Sequence, residues 1–311
     1  MENREDKSIM NRINNIKKYL LLLAVGCGLA MGFTACSDDD DPSGDTIFPT
    51  TSPQRDNFEE WLLKNYTYPY SIDFQYKMQD IETDKKYTLV PADSAKCAKL
   101  AIIVKHLWFD AYNEVVGIDF LKQNAPRVLT LVGSPAYNSE GTMVLGTAEG
   151  GYKVTLYMVN WLTDETLSNY ATLTDYYFTT MHHEFQHILN QKKPYDTSFD
   201  LISEGDYVSG DWYLQSTEEV AQPKGFIRNY AMAEPREDYA ETYSQYITNP
   251  DDLWESKLIN AGATGRAVIL EKLEMIRTYM LDTWGLDIDK LHKAVIRRGQ
   301  ELNSLDLDHL N

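Results

Sequence analysis

Residues 180–189 read Thr-Met-His-His-Glu-Phe-Gln-His-Ile-Leu, and no other stretch constrains the fold as tightly. His183, Glu184 and His187 form the pattern H-E-x-x-H. On a helix, residues four apart share a face with about 5–6 Å between their Cβ atoms. That spacing lets two imidazoles converge on one ion at about 2.0–2.1 Å each. The glutamate between them then lies close enough to take a proton from water activated by the ion. A carboxylate suits the task, because a metal lowers the pKa of water towards about 7. Three fixed letters in five arise by chance in roughly one chain in a hundred of this length, so context decides. Met181, Phe185, Gln186, Ile188 and Leu189 are all uncharged, as expected of a helix packed into a core with one polar face turned to a site. The bland alternative is a pair of surface histidines on an amphipathic helix.

A catalytic zinc normally takes three protein ligands and leaves a fourth position open. The metzincin continuation is absent: Asn190 stands where its glycine belongs and Lys193 where its third histidine belongs. The remaining common solution is a glutamate on a second helix, and Glu234-Pro-Arg-Glu-Asp-Tyr-Ala-Glu241 offers one. Proline suits an early helical position, and Glu237 and Glu241 lie one turn apart. Glu237 is the expected third ligand, with Glu241 behind it accepting a hydrogen bond from the far nitrogen of His183. A solvated acidic face beside Arg236 is the competing reading. Asp206, Glu218 and Glu219 are reserve ligands. His182 points about 100° away around the helix and reads as a packing residue or a support to the ligands. His106, His292 and His309 have no partner pattern.

The N-terminus reads as an address. Arg12, Lys17 and Lys18 precede the apolar run Tyr19–Phe33, too short for a bilayer span but right for a signal peptide. Phe33-Thr34-Ala35-Cys36 resembles a bacterial lipobox, with Phe33 where leucine is usual; Cys36 is the expected lipidated residue, and Cys27 is a weaker candidate. A single-pass anchor is the alternative. Residues 1–35 are therefore expected to be a lipoprotein signal peptide. Residues 36–52, with Asp38–Asp41 and a Ser/Thr/Pro-rich run, are expected to be an acidic flexible tether. The formal charge of −18 argues against nucleic acid, since phosphate binding needs a basic face. Cys97, in a helical apolar stripe with Leu100, Ile103, Leu107 and Ala111, is the cysteine left in the mature domain and is expected to be buried.

Residues 53–311 read as one domain without repeats or a second linker. A short helix carries Phe58, Trp61 and Leu62, and a Tyr-rich extended segment runs from Tyr66 to Met78. A longer helix covers about Asp93 to Val115, with Asp93 as N-cap. Arg127–Val132, Thr142–Thr147 and Tyr152–Asn160 are β-type runs. From Tyr170 the chain is mostly helical, and the last long helix, with Ile269, Leu273, Ile276 and Met280, stops near Gly285. Strands before helices, rather than alternating with them, predict an α+β fold.

These motifs together resemble the gluzincin metallopeptidases. More narrowly, the chain is similar to zinc-binding metallopeptidases among Bacteroidetes lipoproteins, described as substrate-import-associated zinc metallohydrolases. The likeness rests on the lipobox, on His183-Glu-Phe-Gln-His187, and on Gly225-Phe-Ile-Arg-Asn-Tyr230 leading into Glu237-Asp-Tyr-Ala-Glu241. It implies a zincin-like α+β fold: a twisted, mostly antiparallel sheet, an HExxH helix and a helical C-terminal part. The family's edge strand runs above that helix and can pair with an extended peptide; Tyr152–Asn160 is the candidate. The resemblance also implies that Tyr230 points its hydroxyl at the developing oxyanion. It implies one Zn²⁺, a peptide or protein substrate, and an outer-membrane, lipid-anchored, surface-exposed protein working with an importer of the SusC/SusD type. The acid run after Cys36 resembles a surface-export signal of such lipoproteins. The alternative is a non-catalytic zincin-like lipoprotein that captures peptides or glycans, for which Tyr170, Tyr176, Tyr177, Trp212 and Tyr213 would supply aromatic surface.

Overall fold

The Asp56 side chain accepts a hydrogen bond from the Glu59 amide while the Glu59 side chain accepts one from the Asp56 amide, and this reciprocal cap starts α1 (Asn57–Leu62). The computed structural model describes residues 54–78, 87–137, 143–144, 146–149, 152–215 and 217–310, of which those from Arg55 onward belong to one compact unit. The signal peptide, the tether and Cys36 lie outside the described residues. After α1 the helix continues through a π-helical turn, Leu63–Thr67, and a last turn, Tyr68–Tyr70. The extended segment expected from Tyr66 to Met78 shrinks to β1 (Asp73–Gln75). Tyr66 and Tyr70 sit inside the core against Phe109, so their rings serve helix packing rather than a pleated surface.

Asp93 caps α2 (Ser94–Val104) by accepting from the Lys96 amide. A π-helical turn, Lys105–Phe109, carries it into α3 (Asp110–Val116), which stops at Gly117 (φ +86°), and α4 (Ile118–Asn124) follows. The chain then forms β2 (Val128–Leu131), β3 (Ala136–Tyr137), β4 (Met143–Val144), β5 (Gly146–Glu149) and β6 (Lys153–Leu156). One sheet has the order β1-β2-β6-β5, and β3 and β4 make a separate antiparallel ribbon.

Two of the expectations about the sheet are corrected. It is not mostly antiparallel: β1 runs parallel to β2 (Asp73↔Val128) and β2 parallel to β6 (Val128↔Lys153), with only β5–β6 antiparallel in this sheet. Helices α2–α4 stand between β1 and β2 in sequence, and such a helical crossover returns the chain in the same direction. Both central strands are buried along their whole length, as parallel strands covered on two faces must be. The second correction concerns the edge. Tyr152–Asn160 is strand only over Lys153–Leu156, and β6 is paired on both sides. The edge strand that lies against the HExxH helix is β5, and Val159–Trp161 is a 3-10 turn.

From Tyr170 a helical run passes through another π-helical turn, Thr174–Phe178, into α5 (Thr179–Lys192). Short helical turns fill much of 198–232. They are followed by α6 (Pro235–Thr248), α7 (Asp251–Asn260), α8 (Gly262–Trp284) and α9 (Ile288–Gln300). Helix α8 ends at Gly285 in the left-handed conformation, as predicted, but it is not the last long helix. Helix α9 has its own N-cap, Asp287. Phe185 of α5 sits among the rings of Trp108, Tyr112 and Phe120, which fixes that helix to the α2–α4 layer. Its opposite side packs along α6.

Candidate metal centre and active site

Helix α5 presents His183 and His187 one turn apart, and α6 presents Glu237 in its first turn. His183 Nε2 and His187 Nε2 are 3.0 Å apart. Glu237 Oε2 is 3.0 Å from the first and 3.4 Å from the second. A zinc ion with ligands at about 2.05 Å in a tetrahedron separates them by roughly 3.3 Å, so these three atoms already stand at the spacing the ion requires. Two imidazole nitrogens and a carboxylate oxygen are Lewis bases, and they are stable at such distances when a cation lies among them. Among the described residues, this is the group of three where metal-ligating atoms converge.

Glu241, one turn further along α6, faces the other side of the same ring: its Oε1 is 2.8 Å from His183 Nδ1. That contact selects the tautomer with the proton on Nδ1, leaving Nε2 as a lone pair for a metal. Arg228 stands behind it, with Nε 3.4 Å from Glu241 Oε2. Burial works against charge on His183, but the Glu237 and Glu241 carboxylates outweigh it and raise the ring to about 10. Burial likewise disfavours the Glu237 carboxylate, yet the two histidines hold it well below the usual carboxylate range. The local field therefore favours positive charge at the point where the three ligand atoms meet.

Glu184 is half-buried beside this group and makes no hydrogen bond or ion pair among the described residues. Burial pushes its carboxyl up, with the neighbouring histidines opposing. A carboxylate of raised basicity next to a Lewis-acid position is a competent proton acceptor. Tyr230 lies with its ring 5.9 Å from that of His183, and Trp212 meets its other side edge-on at 4.9 Å. Burial, then the charge of Glu237, keeps its phenol protonated far above neutral pH, so its hydroxyl is a donor.

A buried ion pair holds this tyrosine's segment in place. Lys272 of α8 and Asp238 of α6 meet at 2.6 Å with neither side chain exposed. Lys272 also donates to the Gly225 carbonyl at 2.8 Å and lies 4.0 Å over the Phe226 ring, while Tyr207 donates to Asp238 at 3.0 Å. Gly225 is left-handed (φ +89°), and a Cβ there would stand 2.3 Å from Val268. Residues 225–232 are thus tied to both α6 and α8. Sequence reasoning passed over Lys272, Asp238 and Arg228. A signal was present for the first: Lys272 interrupts the apolar stripe of Ile269, Leu273, Ile276 and Met280.

The other candidates sit elsewhere. His182 is fully buried; its Nδ1 is 2.9 Å from the Tyr112 hydroxyl, which is 2.8 Å from that of Tyr243. Burial lowers its pKa to about 3, so it is a neutral core residue. Asp206 pairs with Lys224, Glu218 pairs with Lys257, and Glu219 lies exposed on a short helix, so none joins the ligand group. His106 meets the Arg298 carbonyl, His292 bridges the Tyr246 carbonyl and Asp251, and His309 contacts Asp306. Of the aromatics that would serve a sugar-binding surface, Tyr177 is fully buried and Tyr170 uses its hydroxyl on the Thr248 carbonyl. Trp212 meets Tyr230 edge-on, and Tyr213 packs edge-on against Trp212.

A family model described as "Putative zinc-binding metallo-peptidase" matches residues 51–289. The chain belongs to this family. It is also similar to a crystal structure, at 2.10 Å resolution, of a putative zinc-binding metallo-peptidase from Bacteroides caccae ATCC 43185. The two are 45% identical with a TM-score of 0.73, over 86% of this chain and 100% of that one. No curated protein matches. Membership of a zinc-binding metallopeptidase family agrees with a site built from two histidines and a glutamate, and with a mixed fold of many helices and a small sheet.

Proposed function

We propose that this protein is a zinc-dependent peptidase of the gluzincin kind, with one ion held by His183, His187 and Glu237. The observation that carries the reading is the convergence of those three ligand atoms, with Glu184 half-buried beside them. Zinc, when bound, supplies Lewis acidity that polarises a scissile carbonyl and lowers the pKa of water. Glu184 takes the proton from the attacking water and passes it to the leaving amine. Tyr230 donates its hydroxyl to the developing oxyanion. Glu241 holds the His183 ring in the orientation and tautomer it needs. Among the described residues β5 is an edge strand, and its outer backbone groups suit pairing with an extended peptide, a form of strand addition that aligns a substrate without reading its side chains.

The test is Glu184→Gln. The variant keeps the shape of the side chain but cannot accept the proton, so zinc binding should survive while hydrolysis falls by several orders of magnitude. Full hydrolysis in this variant would overturn the mechanism.

The leader motif supports a further part of the proposal: lipidation at Cys36, a short acidic tether, and display on the outer membrane beside a nutrient importer that takes up peptides or glycoconjugates. Radiolabelled palmitate incorporation, lost in Cys36→Ala, tests the anchor. Co-purification from detergent-solubilised membranes tests the importer.

A further inference from the structure

Arg228 stands two residues before Tyr230 on extended backbone (φ −155°, ψ 170°). Its Nε faces the Glu241 oxygen that His183 does not use. That nitrogen is buried, yet the side chain as a whole is 35% exposed. The exposure therefore falls on other parts of the side chain, and its terminal nitrogens make no hydrogen bond among the described residues. A guanidinium carries five N–H donors in a planar fork and stays charged at any physiological pH. One donor faces Glu241 and the charge also acts on the Asp175 carboxyl, while the terminal N–H groups have no hydrogen-bond acceptor among the described residues. The rest of the site is rich in acid, with Glu184, Glu237 and Glu241 close together, in a chain of formal charge −18. With the ion bound, its two charges offset two of these carboxylates, and the guanidinium fork then matches a peptide carboxylate in two parallel hydrogen bonds.

We propose that Arg228 is a specificity-determining residue that pairs with a substrate carboxylate, so that preferred peptides carry one close to the cleaved bond. The proposal rests on the peptidase reading above and names its substrate class. The carboxylate comes from one of two sources: the free C-terminus of a short peptide, or an acidic side chain. In either case the same guanidinium bridges the substrate and Glu241, coupling substrate position to the His183 ring.

The experiment uses the zinc-loaded full chain and two matched peptide pairs, one with a free or amidated C-terminus and one with an internal Glu or Gln. A hydrogen bond to a charged group is strong enough that the carboxylate member should be favoured at least tenfold in kcat/KM. Arg228→Gln should remove that preference, mainly through KM, and Arg228→Lys should keep part of it. The pair that shows the preference identifies the source. Equal treatment of both members of both pairs by the wild type overturns the proposal. So does an Arg228→Gln variant that slows all peptides equally through kcat, which would make Arg228 only a support for Glu241. Binding of the same peptides to zinc-loaded Glu184→Gln, with and without Arg228→Gln, separates this proposal from the peptidase reading. A carboxylate preference in binding that is lost with Arg228, together with a wild-type protein that cleaves none of the peptides, upholds the subsite and sinks the peptidase. Equal affinities for the paired peptides sink the subsite.

Discussion

Glu241 Oε1 stands 2.8 Å from His183 Nδ1, on the side of the ring opposite Glu237. Glu241 is buried and reaches the metal position only through that imidazole. Its effect is to fix a tautomer and a ring angle, and supports of this kind are worth about 10–100-fold in metal affinity. Glu241→Ala should weaken zinc binding by that factor, and Glu241→Gln by less. Competition with a chromophoric chelator reads the affinity directly, and an unchanged value would show that His183 is oriented by something else.

Metal binding should also be visible as stability. A ligand at a thousand times its Kd stabilises the native state by about 4 kcal/mol. Chelation should therefore lower Tm, and restoring zinc should recover it. His183→Ala, His187→Ala and Glu237→Ala should each abolish that zinc-dependent increment, whereas Glu184→Gln should retain it. Differential scanning calorimetry with and without zinc separates the three ligand variants from Glu184→Gln.

The Lys272–Asp238 pair makes a different kind of prediction, because neither group reaches solvent. Removing one partner from a buried pair leaves an unpaired charge and costs about 3–5 kcal/mol. Lys272→Met should lower the urea midpoint accordingly and loosen residues 225–232, lowering activity along with stability. The double variant Lys272→Met/Asp238→Leu should recover much of the stability. If the single variant unfolds like wild type, the pair does not hold the segment.

Cys97 lies in α2 with no exposed surface, and burial pushes its thiol up to about 12. The reactive thiolate is therefore scarce in the native protein at pH 8. Peptide mapping after iodoacetamide treatment should find Cys97 unmodified in the folded chain and fully modified in guanidinium chloride, where the ordinary value of about 8.5 returns. Rapid native labelling would contradict the buried position.

Much of the site was legible because its grammar is local. A four-residue spacing on one helix brings His183 and His187 together whatever the rest of the fold does, and the same holds for Glu237 and Glu241. Uncharged neighbours announced that the first helix is buried, and Met181, Phe185, Ile188 and Leu189 are. Strand direction was not legible in this way. Thr142–Thr147 and Tyr152–Asn160 look like successive β runs, but which neighbour each finds depends on helices that pack far away in sequence. Hence β6 became a central strand and β5 the edge. The Tyr66–Met78 segment failed for a related reason, since its tyrosines are claimed by the helical core.

The sequence by itself determined the candidate ligand types, their pairing within each helix and the glutamate between the histidines, because these depend on side-chain chemistry and helical pitch alone. Tertiary structure decided that the two helices meet, bringing Glu237 Oε2 to 3.0 Å from His183 Nε2. It also set Tyr230 and Arg228 against that pair through the Lys272–Asp238–Gly225 contacts. Such contacts join residues tens of positions apart, and their energy comes from excluding water around them, a property of the packed chain that no local pattern encodes.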